Sequence, residues 1–135
     1  MNITLTINKL QIIPAIQQMS GMIAKRTENF DLDAITDDEE TYVDTIINES
    51  INTLTAALFR YNPIRRDYTI SLTIRGNFDT SLETYASTLA TNCIQDDVIG
   101  TLMVNTLADY SSFYSTRSAN NLQNLLLTLT KRKKQ

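Results

Sequence analysis

The chain has 135 residues, 42% of them hydrophobic and 20% charged, with a formal net charge of −3, which is the size and balance of a single domain with a core of its own. No histidine, one cysteine and three glycines are present; this excludes Ser/His/Asp and Cys/His catalysis, multi-cysteine zinc sites and a glycine-rich phosphate loop. No run of about 18 apolar residues marks a membrane span, and MNITLTINKLQ reads as a strand rather than a signal peptide.

Ile3, Leu5 and Ile7 alternate with Thr4 and Thr6, the period-two signature of a first strand. A helix is predicted over Lys9–Lys25, capped by Asn8, with Leu10, Ile13, Ile16, Met19 and Ile23 as its apolar face and Pro14 suited to a first turn. After a polar stretch, Thr36-Asp37-Asp38-Glu39 has the spacing of a capping box, and helix two is expected from about Asp37 to Arg60. Val43, Ile46, Ile47, Ile51, Leu54, Leu58 and Phe59 form its buried stripe, and Asn62-Pro63 ends it.

Strand two, Asp67–Arg75, alternates Tyr68, Ile70, Leu72 and Ile74 with Thr69, Ser71 and Thr73. Gly76-Asn77 turns the chain, and Asp79, Thr80 or Ser81 caps helix three, which runs to about Tyr110 with a bend or break at Asp96-Asp97 and Gly100. A Ser/Tyr-rich link, Tyr110–Thr116, leads to helix four, which carries Leu122, Leu125, Leu126 and Leu129. The expected fold is mostly α with a minor β component, an α+β helical bundle of order β-α-α-β-α-α. Its domain spans residues 1–130, followed by a basic tail, 131–135. Two strands alone make no stable sheet, so they pair within the chain or with another subunit, and their edges invite such pairing.

No catalytic residue, metal ligand set or cofactor is predicted. Cys93, placed mid-helix, has no partner for a disulfide within the chain, which fits a reducing compartment. Residues 27–49 hold nine acids and no base, whereas Lys131, Arg132, Lys133 and Lys134 close the chain. These runs read either as a solvated loop and a frayed terminus or as complementary patches for head-to-tail contact between copies. Asp37–Glu40 reads as dipole-matched acids at a helix start or as a cation site. Asp96-Asp97 reads as a solvent-facing break or as a contact for a partner's basic residue. Arg65, Arg66 and Arg75 flank strand two and either bind phosphate or a neighbour's acids, or guard an edge against aggregation. The terminal cations offer a nonspecific contact with DNA. Tyr110 and Tyr114 suit contacts between chains or the rim of the core. The residues expected at a subunit or partner interface are therefore Ile3, Leu5, Tyr68, Ile70, Leu72, Ile74, Arg65, Arg66, Arg75, Tyr110 and Tyr114.

One stretch carries a resemblance. An alternating strand (Tyr68–Ile74) is followed by a turn and Phe78-Asp79-Thr80-Ser81-Leu82, then a long helix, an aromatic link (Tyr110–Tyr114) and a last helix ending in Lys131–Lys134. This pattern resembles the small head-to-tail connector or adaptor proteins of tailed bacteriophages, of the type found in phages of Bacteroidales. The family often carries a tryptophan late in helix three, and this chain has none. The resemblance implies a non-catalytic virion protein, assembled in the host cytoplasm as a homo-oligomeric ring, often twelvefold, at the head–tail interface. Its neighbours would be portal and tail or neck proteins, with no membrane partner. The alternative drawn from the basic terminus is a small cytosolic nucleic-acid-binding regulator of a mobile element.

Overall fold

The computed structural model describes residues 1–27, 40–104 and 108–132, with the side chains of 19–27, 40 and 41 left aside. The fold is α+β and mostly helical, as the sequence predicts, with one more strand than expected. Its elements are β1 (Asn2–Thr6), α1 (Lys9–Thr27), α2 (Glu40–Ala57), β2 (Ile64–Arg66), β3 (Thr69–Thr73), α3 (Glu83–Met103) and α4 (Ala108–Thr128). Single 3₁₀ turns, Phe59–Tyr61 and Thr80–Leu82, follow α2 and precede α3.

The three strands form one antiparallel sheet in the order β1-β3-β2. Strand pairing is thus settled within the chain: Ile3 lies opposite Leu72 and Leu5 opposite Ile70, while Arg65 lies opposite Ile70 on the other side. The alternation in β1 and β3 buries Ile3, Leu5, Ile70 and Leu72 on one face, as the period of two demands. The sequence reading began strand two at Asp67 and missed β2, which lies just before it. Asp67 instead sits in the two-residue turn between β2 and β3 with φ 50°, a left-handed conformation that aspartate tolerates better than most residues. β2 has only three residues, too few for any periodicity to register.

The core is built around α3, which packs against α4, α2, β1 and α1. Its residues from Ala86 to Met103 are buried on several faces, and the helix runs unbroken through Asp96-Asp97 and Gly100. Gly100 is needed for close approach: a β-carbon there would stand 3.3 Å from the Ser111 carbonyl oxygen and 3.4 Å from the Ser115 amide nitrogen of α4. The Ser/Tyr-rich stretch expected as a link is helical, because α4 starts at Ala108. Two serines of α4 face α3: Ser111 Oγ donates to the Gly100 carbonyl at 2.7 Å, and Ser118 Oγ donates to the Cys93 carbonyl at 2.8 Å.

Other expectations hold in part. Val43, Ile46, Ile47, Ile51, Leu54 and Leu58 line the buried face of α2, but the α-helix ends at Ala57 and Phe59 turns outward, 70% exposed. In α1, Ile16 is buried and Ile13 packs partly buried against the core as expected, Ile12 is buried as well, and Leu10 is exposed, while the side chains of Met19 and Ile23 lie outside those described. Asp79 caps the 3₁₀ turn Thr80–Leu82 rather than α3 itself, accepting from the Ser81 amide at 3.1 Å and from Ser81 Oγ at 2.6 Å. The capping box at Thr36–Glu39 and the terminal Lys133 and Lys134 lie outside the described residues.

Candidate functional site

An open strand edge is a ready site for pairing with a partner chain. β3 carries β1 on one side and β2 on the other, so it offers no edge to a neighbouring chain, contrary to the expectation from its sequence. The outer edge of β1 is also occupied. The amides of Thr4, Thr6 and Asn8 donate to Glu83 Oε1 (3.1 Å), Ser87 Oγ (3.0 Å) and Thr91 Oγ1 (3.1 Å). Glu83, Ser87 and Thr91 recur every four residues along α3, so one helix face follows the pleated edge and satisfies alternate amides. Covering an edge in this way removes a template for uncontrolled pairing. Among the described residues β2, short and preceded by Pro63, has no strand paired on its outer side.

The predicted interface residues separate accordingly. Ile3, Leu5, Ile70, Leu72, Ile74 and Tyr114 are buried in this chain's own core. Tyr68 and Tyr110 pack partly buried against that core, with Lys9 Nζ 5.5 Å from the Tyr68 ring centre. Arg65 is braced onto α2. Its guanidinium donates to Asn52 Oδ1 at 2.6 Å, to Asn48 Oδ1 and to the Asn48 carbonyl at 3.3 Å. Arg66 and Arg75 are exposed.

Asp96 and Asp97 form a polar seam inside the bundle instead of a break. Asp96, 1% exposed, lies 3.4 Å from the Arg117 guanidinium and accepts from Asn121 Nδ2 at 3.1 Å, both on α4. Burial pushes its carboxyl above the ordinary carboxylate value, with Arg117 and Asn121 partly opposing that rise. Ser50 Oγ on α2 donates to Asp97 at 2.6 Å. Burial likewise raises the Cys93 thiol, which leaves it protonated and poorly nucleophilic. Burial also raises the Tyr114 hydroxyl. These groups fix the orientation of α4 on α3.

The accessible site lies at the end of the sheet where β3 finishes. Arg60 arrives from the 3₁₀ turn after α2, Arg75 from the end of β3, and Lys131 and Arg132 from the chain just past α4. With Tyr61, Asn77 and Phe78 they line a cleft of about 430 Å³. The buried Phe78 pins this arrangement through a β-bridge to Arg132, while the Asp79 amide donates to the Lys131 carbonyl at 3.3 Å. The start of the basic tail is therefore held against the fold. All four cations are exposed. The ion pairs among the described residues are Lys9–Asp44 and Arg117–Asp96, so none of the four has a salt-bridge partner there. Among the described residues no carboxylate lines the cleft, and its chemistry is that of an anion receptor.

A second groove of about 380 Å³ shares Arg60, Tyr61 and Thr130 with this cleft and is otherwise lined by Ala57, Phe59, Gln123, Leu126 and Leu127. Phe59 and Leu127 are 70% and 57% exposed. Cationic cleft and apolar groove thus form one continuous surface. The sequence signal for it was only partial: the basic terminus was legible, but the convergence of Arg60 and Arg75 upon it depends on the fold. Among the described residues, no group of acids or cysteine is placed to hold a metal ion, and no helix is long and apolar enough to cross a membrane.

In comparisons with protein-family models, curated proteins and solved structures, the chain matches none.

Proposed function

We propose that this chain is a structural subunit of a phage virion, one copy of a homo-oligomeric ring at the head–tail junction that joins capsid to tail around the DNA channel. Portal and tail or neck proteins are its neighbours, and it assembles in the host cytoplasm. The observation that supports this best is the continuous surface formed by Arg60, Arg75, Lys131, Arg132, Phe59 and Leu127. Exposed aromatic and arginine side chains around an apolar groove are the composition of a protein-binding patch, and a chain without histidine offers little acid–base chemistry near neutral pH. Contact between copies through two different patches is heterologous, which closes into a ring when the rotation permits.

The same four cations favour a second reading, a small cytosolic regulator that binds nucleic acid through phosphate neutralisation. Negative-stain imaging of the concentrated protein, beside a gel-shift assay on duplex DNA, separates the two. Rings with a central opening, formed without DNA, support the structural subunit. A monomer that shifts the duplex and releases it as salt rises supports the regulator and removes the proposal.

A further inference from the structure

The two ends of α2 differ in charge. Its 18 residues contain Glu40, Asp44 and Glu49 and no base, and the three residues before it in sequence, Asp37, Asp38 and Glu39, are acids too. Its other end runs into Phe59 and Arg60, at the apolar groove and cationic cleft. The helix is about 27 Å long, so the acidic start and the basic end of one copy stand too far apart to meet each other.

The acidic end also carries an apolar feature. Tyr42 is 63% exposed. Glu49, seven residues further on, is exposed as well, which places the two on one face of the helix, two turns apart. Asp44 is engaged by Lys9 at 3.7 Å, leaving Glu49 as the described acid of that face without an ion pair. An exposed aromatic sharing a face with the exposed Glu49, on a helix whose sequence is acidic, thus complements an apolar groove beside cations that have no ion pair among the described residues.

We propose that the surface of Phe59, Leu127, Arg60 and Arg75 receives the first half of α2 from a second copy of this chain, Tyr42 entering the apolar groove and the acids of α2 meeting the cationic cleft. This rests on the ring reading above and gives it a joint: each copy uses its basic pole once and its acidic pole once. Because the two patches differ, contact adds copies in one direction and closes only as a ring. Complementary charge sets the register and speeds encounter, and the aromatic in its groove supplies the slow dissociation.

Charge reversal tests the joint. One variant carries Arg60→Glu with Arg75→Glu, a second carries Glu40→Lys with Glu49→Lys, and a third carries Tyr42→Ala; all are followed by sedimentation velocity, with circular dichroism to check folding. The expected result is a loss of self-association of roughly tenfold or more for each variant. An equimolar mixture of the two charge-reversed proteins should regain assembly, since each retains the pole that the other lacks and the two reversed poles also carry opposite charge. The Tyr42→Ala change, at an exposed position, keeps the test valid if a charge-reversed protein misfolds. If the wild type forms rings and the variants form them equally well, this joint is wrong and the ring reading stands. If the wild type is monomeric at every concentration, both fall.

Discussion

Replacing Glu83, Ser87 and Thr91 by Ala, Ala and Val strips the outer edge of β1 of the side chains that satisfy it. The Thr91→Val change is nearly isosteric yet removes the acceptor of the Asn8 amide at 3.1 Å and a donor to the Thr6 carbonyl at 3.4 Å, in a side chain only 2% exposed. Leaving such a part-buried amide without a partner costs about 1–3 kcal/mol. Ser87→Ala and Glu83→Ala free the Thr6 and Thr4 amides, which water can reach, so each costs about 0.5–1 kcal/mol. The triple variant should therefore lose about 2–5 kcal/mol, measured by urea unfolding, a large share of the roughly 5–15 kcal/mol typical of a domain. Amide hydrogen exchange adds a residue-level readout: Thr4, Thr6 and Asn8 should be protected in the wild type and exchange fast in the variant. The bared edge should also aggregate with rising concentration. A stability change below about 0.5 kcal/mol, or wild-type amides at Thr4, Thr6 and Asn8 that exchange freely, would refute the idea that α3 seals this edge.

Three further outcomes are expected. Ser71→Pro should destabilise the monomer itself by about 3 kcal/mol or more, because β3 is central and proline cannot keep its ladder bond; a folded but unassembled variant on a calorimetric scan would contradict the strand order. Gly100→Val should cost about 2 kcal/mol by thermal or urea unfolding, since its side chain drives into the α4 backbone at Ser111 and Ser115, which cannot rotate away; no loss would mean α3 and α4 are farther apart than described. Because burial raises the Asp96 carboxyl above its unfolded value, the native state holds the extra proton between those two values, and stability from this group falls as pH rises through that window. The stability of wild type relative to Asp96→Asn should thus be greatest at the acid end of the window and decline toward neutrality; the opposite trend would mean that pairing with Arg117 outweighs burial.

Much of this fold is written in local pattern. Ile3 and Leu5, and Ile70 and Leu72, alternate because β1 and β3 each bury one face, and the stripe from Val43 to Leu58 follows from a helix with one buried side. What escaped local pattern depended on tertiary partners. Asp96-Asp97 looked like a helix break until Arg117, Asn121 and Ser50 supplied the missing polar contacts. Tyr110–Thr116 looked like a link because serine is a weak helix former, yet small residues are what a close α3–α4 approach requires. The candidate site was half legible: Lys131 and Arg132 stood out as a basic run, whereas Arg60 and Arg75 join them only through the packing of Phe78 and the course of β3.

The central claim, that this is a subunit joined through opposite poles and not through strand edges, is tested most directly by mass photometry of the wild-type protein across concentration, at low and at high salt. The account predicts closed species of one fixed copy number that weaken as salt screens the poles. A strict monomer under all conditions, or assembly that ignores salt and persists in Arg60→Glu with Arg75→Glu, would contradict it.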